Sequence, residues 1–181
     1  MKAFSKEDVS PYFSTRCHDQ PIYKTSLRLW DMSQVTEMGG MFSWASSLNQ
    51  DLGSWDVSNV SSMFQMFSGA SSFNQDLSSW DVSQVMNMSD MFDEASSFNQ
   101  DISSWDVRNV TNMTGMFDNS GMSSINYGLF LQRCAALGAA NTLQSNVTLG
   151  AGTIQYPANA ATARNYLTGT KGWTITDGGQ V

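Results

Sequence analysis

Phe73-Asn74-Gln75-Asp76-Leu77-Ser78-Ser79-Trp80-Asp81-Val82-Ser83-Gln84-Val85 has two close copies at a step of 25 residues. These are Leu48-Asn49-Gln50-Asp51-Leu52-Gly53-Ser54-Trp55-Asp56-Val57-Ser58-Asn59-Val60 and Phe98-Asn99-Gln100-Asp101-Ile102-Ser103-Ser104-Trp105-Asp106-Val107-Arg108-Asn109-Val110. The step extends outward in both directions. Trp30, Trp55, Trp80 and Trp105 are each followed by an aspartate, Asp31, Asp56, Asp81 and Asp106. Met38, Met63, Met88 and Met113 keep the same register, as do the pairs Met41-Phe42, Met66-Phe67, Met91-Phe92 and Met116-Phe117. Self-similarity at a fixed period between 20 and 50 residues is the mark of a repeat architecture.

Within one unit the apolar residues are Leu77, Trp80, Val82, Val85, Met88, Met91, Phe92, Ala95 and Phe98. Trp80 and Val82 alternate with Ser79, Asp81 and Ser83, the period-two signal of a short half-buried strand. From Val85 the apolar step becomes three or four, the spacing of a helical face. Ser96-Ser97-Phe98-Asn99-Gln100-Asp101 has turn formers and no period, and returns the chain to the next unit.

Such a unit cannot bury its apolar face alone, so equivalent units have to stack. Leu77-x-x-Trp80-x-Val82 imitates the opening of a leucine-rich repeat, whose length of roughly 20–29 residues includes this step. The sequence therefore predicts an α/β repeat fold, a right-handed leucine-rich-repeat-like solenoid with a parallel sheet on one side and helical turns on the other. Its expected parts are an N-terminal cap over 1–26, a repeat array of four coils over 27–122, and a C-terminal cap over 123–181. In the last part the spacing of Ile125, Leu129, Phe130 and Leu137 predicts a helix, and 158–167 is Ala-rich and helix-prone. Val147-Thr148-Leu149 and Trp173-Thr174-Ile175-Thr176 read as short strands.

The run from Phe73 to Val85, followed by Met88 and Met91-Phe92, resembles the repeat of BspA-like surface proteins and mycoplasma lipoproteins. The resemblance covers residues 27 to about 122. Ser145-Asn146-Val147-Thr148-Leu149-Gly150, Ala163-Arg164-Asn165-Tyr166-Leu167 and Gly172-Trp173-Thr174-Ile175-Thr176-Asp177-Gly178-Gly179 resemble the segment that closes such arrays in bacteria. The resemblance implies an extracellular or cell-surface module for recognition or adhesion, binding a protein or glycan on another surface. The alternative is a structural spacer of a virion, phage appendage or surface stalk, without a ligand of its own.

Composition narrows the partners. Nine basic residues against sixteen acidic ones give a formal charge of −7, which argues against nucleic acid and anionic lipid. No stretch is apolar for long enough to insert in a membrane, and the charged start Met1-Lys2-Ala3-Phe4-Ser5-Lys6-Glu7-Asp8 shows no secretory signal. Cys17 and Cys134 are too few for a disulfide scaffold and match no metal-site spacing, so both read as free thiols.

Catalysis has no visible footing: His18 is the one histidine, lies outside the repeats, and belongs to no nucleophile-and-base pattern. The expectation is a binding protein, with no enzyme activity, no cofactor and no metal. The methionine columns suit soft metals, but their register places them in the core, where a flexible thioether fills gaps. The tryptophans read as a buried ladder, and Trp44, outside that column, as an exposed aromatic. Asp31, Asp56, Asp81 and Asp106 fall between inward-facing neighbours and point outward, with Ser58, Ser83 and Arg108 two residues further on. This acidic face is the expected binding surface, suited to a basic partner more than to a cation. Columns of this kind also cap turns, as the Asn49, Asn74 and Asn99 and Asp51, Asp76 and Asp101 sets are expected to do.

Overall fold

A computed structural model describes residues 27–140 and 142–181. Its regular elements lie almost wholly in the last third of the chain. They are helix α1 (Ser124–Ala139), strand β1 (Thr148–Gly150), helix α2 (Ala161–Gly169) and strand β2 (Thr174–Thr176), with short 3-10 turns at Leu27–Leu29 and Ala158–Ala160. The two strands form a two-stranded parallel sheet, with Leu149 opposite Ile175.

This corrects the expected fold class: the right-handed leucine-rich-repeat-like solenoid, with a parallel sheet on one side and helical turns on the other, is not what the chain forms. Between residues 30 and 123 the described chain has neither a strand nor a helix, only turns, isolated bridges and irregular links. The Trp-Asp-Val segments do not pair as strands. Asp56 Oδ1 instead accepts the Ser58 amide at 3.1 Å and the Ser58 hydroxyl at 2.6 Å, turning the chain just after Val57. A short polar side chain that bonds its own backbone two residues on competes with a ladder, and here it wins. The helical reading fails for a second reason. Gly40, Gln65, Asp90 and Gly115 share one register position and all have positive φ, from 53° to 68°, as do Trp44, Gly69, Glu94 and Asn119 in another. A left-handed residue every few positions stops a helix from propagating and leaves a succession of turns. Their bonds run three residues back, as in Met91 N–H to Met88 O and Ala95 N–H to Phe92 O.

The 25-residue register nonetheless governs packing. Parallel bridges join Glu37 to Ser62, Ser62 to Asn87 and Asn87 to Asn112, and Met113 then bridges to Leu149 of β1. Beside them, Met63 N–H donates to Asn87 O and Phe67 N–H to Met91 O, each at 2.9 Å. Inside, Phe42, Phe67, Phe92 and Phe117 form a stacked column with ring centroids 5.7, 5.6 and 6.1 Å apart. The column ends on α1, where Tyr127 and Phe130 meet Phe117 edge-on. The two methionine columns, Met38, Met63, Met88 and Met113 and Met41, Met66, Met91 and Met116, are fully buried, as their spacing requires. Trp55, Trp80 and Trp105 are buried as well, and each indole N–H donates to a carbonyl of the preceding unit, that of Leu27, Leu52 and Leu77. Three of the four tryptophans of the expected ladder are thus buried and Trp30 is partly buried, although the strands expected around them do not form.

The C-terminal elements agree with their sequence reading. Ser123 accepts the Asn126 amide and starts α1. β1 lies so close to the turn at Gly115 that a Cβ on Gly150 would fall 2.3 Å from the Gly115 nitrogen. Asp177 anchors the end of the chain: it accepts Arg164 Nε at 2.8 Å, Arg164 Nη2 at 3.0 Å and the Tyr127 hydroxyl at 3.0 Å. Cys134 is buried in α1, and burial pushes its thiol well above the ordinary range. The N-terminal cap expected over 1–26, with Cys17 and His18, lies outside the described residues.

Candidate recognition surface

In the acidic column Asp56 and Asp81 are exposed and Asp31 and Asp106 half-buried, and each aspartate caps its own turn. Asp31 Oδ1 accepts the Ser33 amide and hydroxyl, Asp56 those of Ser58, and Asp81 the Ser83 amide at 3.0 Å. Asp106 is chelated by Arg108 through Nε and Nη2 and accepts its amide. The Ser33 and Ser58 hydroxyls, followed by their amides, hold Asp31 and Asp56 below the usual carboxylate range, and the Arg108 guanidinium does the same for Asp106. Asp56 and Asp81 remain exposed, and each uses only Oδ1 in these bonds.

A second polar ladder runs beside the first. Asn49 Oδ1 accepts Asn74 N–H and Gln75 Nε2, Asn74 Oδ1 accepts Asn99 N–H and Gln100 Nε2, and Asn99 Oδ1 accepts Ser123 N–H and Asn126 Nδ2. Asp51, Asp76 and Asp101 each take the amide two residues on, at Gly53, Ser78 and Ser103. These are the turn caps that the sequence implied. Between two units they leave an open polar groove of about 230 Å³ lined by Asp76, Ser78, Gln100, Asp101, Ser103 and Ser104.

The face that carries the bridges is different. There, three large apolar side chains stand in solvent: Trp44 (48% exposed), Phe64 (39%) and Met86 (53%). Their register partners are small or polar. Gly69, Glu94 and Asn119 correspond to Trp44, Gly39, Ser89 and Thr114 to Phe64, and Thr36, Ser61 and Thr111 to Met86. Trp44 lies over Gly69, where an added Cβ would come within 2.6 Å of the indole. Gly69 also has φ +70°, so Gly69→Ala should destabilise by more than the roughly 1 kcal/mol cost of a left-handed alanine and should perturb Trp44 fluorescence. Unchanged emission and an unchanged midpoint in urea would show that the indole does not rest there.

Beside this strip are Asp90, Asp93, Glu94 and Asp118. Burial, followed by the Asp118 charge, raises Asp90, and burial also raises Asp93, with Glu94, Asp90 and Asp118 adding to it. Gln65 and Asn119 side chains offset this in part by hydrogen bonding to Asp90 and Asp93. Asp118 Oδ1 is shut off from solvent with no hydrogen-bond partner. The sequence reading named Trp44 as an exposed aromatic, and Trp44 is exposed, but that reading did not bring Asp90 and Asp118 together. Among the described residues no group of three His, Cys, Asp or Glu side chains could hold a metal ion, and no helix is long and apolar enough to cross a membrane.

Residues 8–128, about two thirds of the chain, match the family described as "Mycoplasma protein of unknown function, DUF285". The chain belongs to that family. The match takes in all of the turn-built units and ends inside α1. Membership is compatible with a surface protein. No curated protein and no solved structure matches the chain.

Proposed function

We propose that the chain is an extracellular or cell-surface recognition module that binds a protein or glycan through the face carrying Trp44, Phe64 and Met86. One observation carries this reading. Units that otherwise repeat closely depart from one another by placing large apolar side chains in water. Folding gains little from such groups, whereas a partner that covers them gains about 25 cal/mol per Å² of apolar area removed from water. The likeness of the units to those of BspA-like surface proteins and the family membership support a surface location.

The column Asp31, Asp56, Asp81 and Asp106, with Ser58, Ser83 and Arg108, is the rival surface for the same function. A spacer without a ligand is the rival function, and the regular asparagine ladder would serve it equally well. The test is a binding screen of the whole chain against glycans and cell-surface proteins, run with two variants. Phe64→Ser with Met86→Ser should abolish a hit found with the natural chain. Asp56→Asn, Asp81→Asn and Asp106→Asn together should leave both binding and folding nearly unchanged, within about 0.5 kcal/mol per site, because an asparagine oxygen still accepts the amide two residues on. Loss of binding in this triple variant, mimicked by salt in the natural chain, would move the site to the acidic column. The absence of any hit would favour the spacer.

A further inference from the structure

Resting on that recognition reading, we infer that the partner presents a basic amphipathic segment, whose apolar side covers Phe64 and Met86 and whose cations meet Asp90, Asp93, Glu94 and Asp118. The backbone brings these groups together. Met86 and Asp90 are four residues apart in one unit, and Phe64 precedes Gln65, whose amide N–H donates to Ser89 O and whose side chain bonds Asp90. Gly69 N–H donates to Asp93 O and Glu94 N–H to Asp118 O, so the acidic groups continue along the same row of turns. Gly115 opens the space between two of them: a Cβ there would fall 2.2 Å from Asp90 Oδ1 and 3.7 Å from Asp118 Oδ2.

Charge is what selects the occupant. The described cations are committed elsewhere: Arg28 approaches Asp51, Arg108 holds Asp106, Arg164 holds Asp177, Arg133 donates to Trp105 O, and Lys171 to Leu143 O. No ion pair among the described residues reaches the four carboxylates. Asp90 and Asp93 are partly desolvated and are repelled by Asp118, and Asp93 by Glu94 as well, on the same row of turns as the exposed Phe64 and Met86. A neutral or acidic partner would deepen that repulsion as it expelled water, whereas Lys or Arg side chains flanking apolar ones would relieve it.

The probe is a 14-residue peptide of lysine and leucine, with leucines three and four residues apart, titrated calorimetrically into the full chain; a second peptide has glutamate in place of lysine. The lysine peptide should bind and the glutamate peptide should not. Asp90→Asn, Asp93→Asn and Glu94→Gln together should weaken binding more than tenfold, and so should Phe64→Ser with Met86→Ser. The charge-matched control Asp56→Asn, Asp81→Asn and Asp106→Asn should weaken it less than threefold. The first triple variant should melt no lower than the natural chain, since it removes repulsion, and Asp93→Asn alone serves if the triple does not fold. Equal weakening by the two triples would reduce the effect to net charge, and no binding of the lysine peptide would exclude a basic partner; either result overturns the inference. A glycan or protein hit from the screen that tolerates the Asp90, Asp93 and Glu94 changes but fails with Phe64 and Met86 replaced would also overturn it, while leaving recognition by this face in place.

Discussion

Trp80→Ala should lower the unfolding free energy by about 3–5 kcal/mol, the largest loss expected from any single change within the repeats. Trp80 is 3% exposed, its ring centroid lies 6.2 Å from that of Phe67, and its indole N–H donates to Leu52 O at 3.0 Å. Truncation therefore leaves a cavity and also a buried carbonyl without its donor, which adds about 1–3 kcal/mol if water cannot enter. Trp80→Phe separates the two effects, because it keeps most of the ring volume and removes only the hydrogen bond. Urea denaturation should rank natural chain, Phe variant and Ala variant in that order. Two variants alike within error would mean that the hydrogen bond is dispensable or the cavity refills, and a loss below about 1 kcal/mol for alanine would remove the tryptophan ladder from the core.

The ladder was legible because tryptophan spacing reports burial whatever the backbone does between the rings. The backbone itself was not. Trp80-Asp81-Val82 alternates as a strand does, yet alternation over three residues is also produced by a turn whose first residue is buried and whose second is a capping aspartate. The same ambiguity lies behind the step of three and four after Val85. Successive turns with bonds three residues back place Met88, Met91 and Ala95 inward much as a helix would. One sign against a helix was present in the sequence: Gly40 and Gly115 share a register position with Gln65 and Asp90, and glycine recurring where other units have polar residues marks a left-handed conformation. Helix α1 and strands β1 and β2 carry no such conflict, and there spacing and structure agree.

The acidic rim was harder to see for a different reason. A search by columns compares residues 25 apart, whereas Asp90 and Asp118 are 28 apart and meet across the side-chain-free Gly115. The outward aspartates at Asp56 and Asp81 were easy to find because they repeat, and they repeat because each unit needs its turn cap. Regularity in this chain follows the needs of folding, whereas Trp44, Phe64, Met86 and Asp93-Glu94 depart from it.

Asp177→Ala should destabilise the C-terminal elements by about 3–5 kcal/mol, the cost typical of leaving one half of a buried ion pair behind. The Asp177 side chain is 1% exposed and receives the Arg164 guanidinium, the Tyr127 hydroxyl and the Gly179 amide, tying α2 and the residues after β2 to α1. Arg164 also stands over the Tyr156 ring, 5.2 Å from its centroid. Removing both charges at once, with Arg164→Met and Asp177→Leu, should cost clearly less than the sum of Arg164→Met and Asp177→Leu alone, because no charge is then stranded. The same site predicts an alkaline limit. Burial, then the Asp177 charge, holds the Tyr127 hydroxyl protonated far above the ordinary phenol range. Its folded pKa being the higher, the contribution is intact below the unfolded phenol value of about 10 and is lost as pH rises beyond it. Tyr127→Phe should therefore flatten the fall in stability above pH about 10 while leaving Arg164 and Asp177 paired. An alkaline limb unchanged in the phenylalanine variant, or strictly additive losses at Arg164 and Asp177, would show that these three groups are neighbours without being coupled.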